Sequence, residues 1–304
     1  MSVDALTYQN VTWVNIENAT PQDVDVLRRK FRFHPLDLDD VLSKIERPKV
    51  DEYEDYLFIV MHFPVFDYER RISAPSEIDF FIGANFLVMV HDGRLKPLQA
   101  LFSSCKQDDT FAQRHLGKGA GRLLYSILDR LVDYMFPILS KIGGHVRGIE
   151  NDMLTEDMGD IVTRISLVRR DIIALRRILK PQMAVIANLE NRERPFIQEE
   201  LDVYFGDISD GFGKAMDIVE DYTEVIRGLS DTSNALTSYR INEVMRILAV
   251  ISVVMLPLTL ISGVYGMNVP LPFAGSIWSF VFIVVLMALI AGGMLIYFRK
   301  RGWL

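Results

Sequence analysis

Charge is missing from one long stretch of this chain: between Ile247 and Phe298 there is no Asp, Glu, Lys, Arg or His. A soluble core rarely keeps so long a run uncharged, which argues against a buried helical hairpin in a soluble protein. Cysteine is nearly absent too. The single Cys105 excludes an internal disulfide, fits a reducing cytoplasm and reads as a packed core thiol. The opening residues MSVDALTYQNV carry neither a basic region nor an apolar one, so no signal peptide is expected. No GxxxxGK[ST] phosphate loop occurs. His34, His62, His91, His115 and His145 form no HExxH-like pair, Cys105 has no His beside it on a helix face, and an enzyme is not expected. Base is outweighed by acid, with a formal net charge of −7 over 304 residues, which argues against nucleic acid and fits a positively charged partner.

The uncharged stretch contains two apolar segments, Ile247–Tyr265 and Ile277–Phe298, joined by GMNVPLPFAGS. Each has about the 20 residues that a hydrocarbon core of ~30 Å demands, and lipid permits little but helix there. Arg240 and Arg246 precede the first segment, while Arg299, Lys300 and Arg301 follow the second. The positive-inside rule therefore predicts a multi-pass protein of the cell (inner) membrane with both termini cytoplasmic and the short loop outside. Trp278, Tyr297 and Trp303 fall where aromatic anchors are expected.

The remainder reads as a water-soluble body. Residues 7–16 alternate like a strand, and Pro21 after Thr20 opens a helix through Val24–Phe31. His34-Pro35 opens a short helix whose Asp37, Asp39 and Asp40 suit the helix dipole and need no metal. Tyr56–Phe66 and Ile78–His91 read as strands, the second broken by a turn at Gly83-Ala84-Asn85. After Lys118 the periodicity turns helical. Leu123, Leu124, Ile127, Leu131, Ile138 and Ile142 space like one helix face, with Gly143-Gly144 weakening its continuation. A second, arginine-laced helix over Ile161–Leu179 should end near Pro181. The third begins near Asp202 and runs into the first span; carried to Gly266 it would be about 95 Å long. These limits predict a 1–118 α/β domain, a 119–246 helical stalk and a 247–304 transmembrane domain with a basic tail.

The long helix has two distinct faces. Alternating steps of three and four from Ile208 give Phe212, Ala215, Val219, Tyr222, Ile226, Leu229, Ser233 and Leu236, a packing seam. The same steps from Asp210 give Lys214, Asp217, Asp221, Glu224, Gly228, Asp231, Ala235, Ser238 and Asn242. They continue into the bilayer as Met245, Ala249, Ser252, Leu256, Thr259 and Gly263, just short of Asn268. Taken alone, the acidic half is a solvated face and the small residues allow close helix contact in lipid. If several copies surround an axis, each position becomes a ring: carboxylates, then amides and hydroxyls, with apolar constrictions at Met245, Leu248 and Leu256.

At the outer end of this face stands PLTLISGVYGMN, Pro257–Asn268. With the Pro-Leu-Thr and Tyr-Gly context, the basic RKRGWL tail, HPLDLDDVL and RPKVDEYEDYLFIV, the chain resembles the CorA family of divalent-cation channels over nearly its whole length. The resemblance implies an α+β membrane protein: a cytoplasmic α/β domain, a very long stalk helix and two C-terminal transmembrane helices, assembled as a homopentameric funnel in the lipid bilayer. It places Gly266, Met267 and Asn268 on the selectivity motif. It makes Met245, Leu248 and Leu256 the hydrophobic gate, Thr259 a polar ring and Asp231 an acidic ring, and it matches Asp67 and Asp207 to the acids that sense cytoplasmic Mg²⁺. Mg²⁺, transported and regulatory, is the implied ion; neutral amide oxygens can hold its water shell without stripping it. One departure from the family's pattern is the uncharged outer loop, Val269–Ser276. The alternatives are a Zn²⁺, Co²⁺ or Ni²⁺ transporter of the same architecture, against which Met267 counts, and a non-conducting membrane-anchored metal sensor.

Overall fold

The computed structural model describes residues 3–43, 45–190, 202–267 and 277–303. The chain divides between Ser230 and Asp231, inside its longest helix. The first unit is built on a six-stranded sheet: β1 (Val3–Tyr8), β2 (Val11–Glu17), β3 (Lys49–Glu52), β4 (Tyr56–Asp67), β5 (Ile72–Gly83) and β6 (Phe86–His91). The spatial order is β1-β2-β6-β5-β4-β3, antiparallel throughout except where β2 runs parallel to β6. Residues 7–16 are therefore two strands rather than one. Gln9 takes a left-handed φ of 50°, and the tight turn it makes folds Tyr8 onto Val11. The β5–β6 turn falls at Ala84-Asn85, as the sequence suggested.

Ten consecutive residues of β4, Tyr56–Val65, are buried, because both sheet faces are covered there. One face carries α1 (Pro21–Lys30) and α2 (Pro35–Asp40), with Val24, Leu27 and Leu38 packed on Phe58, Val60, Phe81 and Val88. Helix α1 starts at a capping box between Thr20 and Asp23. Asp37 of α2 is 1% exposed and accepts hydrogen bonds from the Tyr53 and Tyr56 hydroxyls at 3.0 and 2.8 Å. Asp40 pairs with Lys49 at 2.7 Å. Protein partners thus account for both acids.

Helices α3 (Lys96–Gln107), α4 (Asp109–Leu116), α5 (Ala120–Asp152), α6 (Met158–Glu190) and α7 (Asp202–Tyr265) follow. Phe102 of α3 meets Trp13 edge-on at 4.8 Å, and Phe63 of β4 meets Phe212 of α7 at 5.8 Å. Cys105 is buried, as expected of a core thiol. Helix α5 runs unbroken through Pro137 and Gly143-Gly144; an added Cβ at Gly143 would strike the Tyr222 hydroxyl, so that glycine is the space into which α7 packs. Helix α6 does not end near Pro181. It continues to Glu190, because Gln182, Val185, Ile186 and Leu189 bury beyond the proline and Gln182 Nε2 donates to the Ile178 carbonyl at 3.0 Å in the disturbed turn. That burial offsets a cost of ~3 kcal/mol for proline inside a helix.

Candidate functional site: an uncharged helix pair and its polar face

Asp231–Leu304 form the second unit, which holds the upper half of α7 and α8 (Ile277–Lys300). Both helices are long and apolar enough to cross a membrane. Helix α8 buries none of its residues within the chain, and Met255, Leu256 and Leu260 of α7 are exposed. So large an apolar surface requires lipid or other copies of the chain to cover it. The end of α8 is built to stop. Gly302 takes φ 71°, its N–H bonds the Arg299 carbonyl, the Trp303 N–H bonds the Phe298 carbonyl, and the Trp303 ring stacks on Phe298 at 5.6 Å. That is a Schellman cap with its hydrophobic contact, and Arg299, Lys300 and Arg301 complement the dipole. Arg246, at the start of the first span, donates to the Gly302 carbonyl at 3.5 Å, so both basic flanks lie at one end of the helix pair.

On α7 the counted seam is buried at Ile208, Phe212, Ala215, Val219, Ile226 and Ser233 and half-buried at Tyr222, Leu229 and Leu236. The same stepping then crosses the exposed Arg240, Glu243 and Ile247 before it reaches Val250 and Val254, buried in the membrane half. Asp231, Asn242, Met245, Leu248, Ser252, Leu256 and Thr259 are all exposed. Ser252 lies two residues beyond Val250, some 200° around the helix, so the packed side and the polar side are opposed. Ser252, Leu256, Thr259, Gly263 and Met267 line one open groove. Ser252 Oγ donates to the Leu248 carbonyl and Thr259 Oγ1 to the Met255 carbonyl, each at 2.9 Å. With its hydrogen committed to the helix, each hydroxyl presents only lone pairs outward. Acceptors of that kind suit a cation still wearing its water. Gly266 sits in the turn after Tyr265 without a left-handed φ, and an added Cβ there would come within 3.1 Å of the Ser262 carbonyl oxygen. Met267 is exposed; Asn268 and the loop 269–276 lie outside the described residues.

The two proposed sensing acids occupy separate places in the first unit. Asp67 ends β4 and holds the following turn, its Oδ1 accepting from the Glu69 and Arg70 amides at 2.9 and 3.0 Å. Asp207 is exposed on α7 and accepts from the Tyr125 hydroxyl at 3.4 Å. Sequence reasoning missed its neighbours on α5. Burial, then the charges of Asp133 and Asp207, raise the Asp129 carboxyl above its ordinary range. Arg122 lies between the Tyr125 and Tyr204 rings, 4.7 and 4.0 Å from their centres. The i, i+4 spacing of Asp129 and Asp133 was a signal that could have flagged this patch. Among the described residues, no three His, Cys, Asp or Glu side chains converge as a metal-holding group.

An aqueous α/β unit, a helix shared with a membrane unit and a second span beside it define a two-span membrane protein with a polar stripe along its first span. The chain belongs to the CorA-like Mg²⁺ transporter protein family, whose sequence model matches residues 8–300. It is 30% identical to a cobalt/magnesium transport protein CorA of Thermotoga maritima, over 96% of this chain and 83% of that one. The fold matches the complete structure of the CorA magnesium transporter from Methanocaldococcus jannaschii with a TM-score of 0.86, at 23% identity, covering 99% of this chain and 94% of the other. A zinc transport protein ZntB of Pectobacterium carotovorum is also similar, at 19% identity over 99% of this chain and 90% of that one. Membership makes the chain a divalent-metal-ion transporter of the membrane.

Proposed function

We propose that the protein is a homopentameric Mg²⁺ channel in which the exposed face of α7 lines the pore. The observation that carries this reading is the opposition along one helix of a buried seam and a face bearing Asp231, Asn242, Ser252 and Thr259. Around an axis these become rings that collect a cation and meet its water shell, with Met245, Leu248 and Leu256 as apolar narrowings that close by dewetting. Gly266, Met267 and Asn268 form the selecting mouth. Both termini face the cytoplasm, since the basic flanks lie at one end of the helix pair. The driving force is the membrane potential: each elementary charge gains about 2.3 kcal/mol per 100 mV, and a divalent ion about twice that. Asp67 and Asp207 sense cytoplasmic Mg²⁺. Among the described residues neither belongs to a metal-holding group of three such side chains, which suits sites completed by a neighbouring subunit.

The test is ion flux into liposomes holding the purified protein, with Mg²⁺, Co²⁺, Ni²⁺ and Zn²⁺ in turn and a potential imposed. Mg²⁺ should enter without a proton gradient, and Asn268→Ala should abolish entry while leaving the oligomer intact. Preference for Zn²⁺ would favour the ZntB-like reading, and absence of any flux a non-conducting sensor.

A further inference from the structure

A second group of carboxyls lies in the α/β domain, on other elements from the pore face. Alternation along β5 puts Glu77 and Asp79 on the sheet face that α1 and α2 cover, in line with core residue Phe81. Both open into a cavity of about 320 Å³, walled on its apolar side by Val41, Leu42, Ile45 and Val90. A single water needs only roughly 10–15 Å³ of such space, so the cavity holds several. Asp79 is 4% exposed, and its buried Oδ1 has no hydrogen-bond partner. Leaving such a group unsatisfied costs about 1–3 kcal/mol.

Two nearby cations pair with acids other than Asp79 and Glu77: Lys49 bonds Asp40 and Asp51, each at 2.7 Å, and Arg94 holds Asp92 at 2.6 Å. Glu77 Oε2 faces His62 at 3.0 Å and accepts the Glu46 amide hydrogen at 2.6 Å, which fixes that carboxyl at the cavity edge. His91 donates to or accepts from Asn15 at 2.9 Å, and burial lowers its pKa, keeping it neutral. The cavity is thus acidic and roomy, with one deeply buried carboxyl lacking a partner.

We propose that this cavity binds a hydrated divalent cation, Mg²⁺ by class, through Asp79 and Glu77. Mg²⁺ commonly takes one or two carboxylates and keeps several waters, which matches two acids and a wet cavity; Zn²⁺ and Ca²⁺ need larger protein donor sets.

The site is independent of the pore and of the sensing acids, and the experiment separates them. Full-length protein carrying Asp67→Ala and Asp207→Ala is titrated with Mg²⁺ calorimetrically at pH 7. The same titration is run after adding Asp79→Asn or, separately, Glu77→Gln. The parent should bind one more Mg²⁺ per subunit than either variant. Equal stoichiometry in parent and folded variants would overturn the proposal. So would a parent that binds no Mg²⁺, a result that requires no variant to fold.

Discussion

Replacing Tyr56 with Phe removes one oxygen from a buried position and keeps the ring. Tyr56 is 5% exposed; its hydroxyl donates to Asp37 Oδ2 at 2.8 Å and accepts the His34 amide hydrogen at 2.8 Å. Burial pushes the Asp37 carboxyl up from its ordinary pKa, and the two tyrosine hydroxyls pull it back, Tyr56 more than Tyr53. A hydrogen bond to a charged group contributes about 1.5–3 kcal/mol, and the amide left without its acceptor costs about 1 more, so the expected loss is about 3 kcal/mol. For a unit of this size, 1 kcal/mol moves the melting temperature by about 2–4 °C, which predicts a fall of about 6–12 °C. Trp13 is fully buried against Phe102 and reports on this unit once Trp278 and Trp303 are changed to Phe. Tyr53→Phe, at a half-buried position, should cost about 1 kcal/mol. A Tyr56→Phe melt within 1 °C of the parent, or one milder than Tyr53→Phe, would refute the claim that Asp37 is held by hydroxyls rather than by a metal.

The acids give two further expectations. If Asp207 senses Mg²⁺, Asp207→Ala should leave the channel conducting at internal Mg²⁺ levels that close the parent, measured by flux into Mg²⁺-loaded vesicles; an unchanged closing response would remove that role. Asp79 releases its proton near 3.8 when unfolded and only at much higher pH when folded, so between those values the folded state binds more protons and stability falls as pH rises. In Mg²⁺-free buffer Asp79→Asn should flatten that decline as pH rises above the ordinary carboxylate range. Thermal melts of the two proteins that stay parallel across this range would contradict it.

Much of this was legible because it rested on periodicity and on missing charge. Val219 and Ile226 fell on the buried side of α7 and Asp231 on the exposed side, since a 3.6-residue period fixes which residues share a face. The two spans were legible for the same reason. Local signals that tertiary burial can override were less dependable. Pro181 looked like a helix end, yet the apolar residues after it hold α6 together. The Gln9 turn was hidden because glutamine seldom adopts a positive φ. Nothing in the spacing of Asp79 announced a buried carboxyl with an unmet oxygen. That property comes from the strands and helices stacked around it, just as the acidity around Asp207 comes from Asp129 and Asp133 on another helix.

The central claim is that the Thr259 face of α7 borders the ion path, and cysteine accessibility tests it most directly. In a Cys105→Ser background, Thr259→Cys and Ile261→Cys place a thiol on opposite sides of the helix, since two residues turn it by about 200°. A membrane-impermeant thiol reagent should block Mg²⁺ flux through the Thr259→Cys protein, more slowly when Mg²⁺ is present, and leave the Ile261→Cys protein conducting. Block at Ile261→Cys with none at Thr259→Cys would mean that the polar face looks away from the ion.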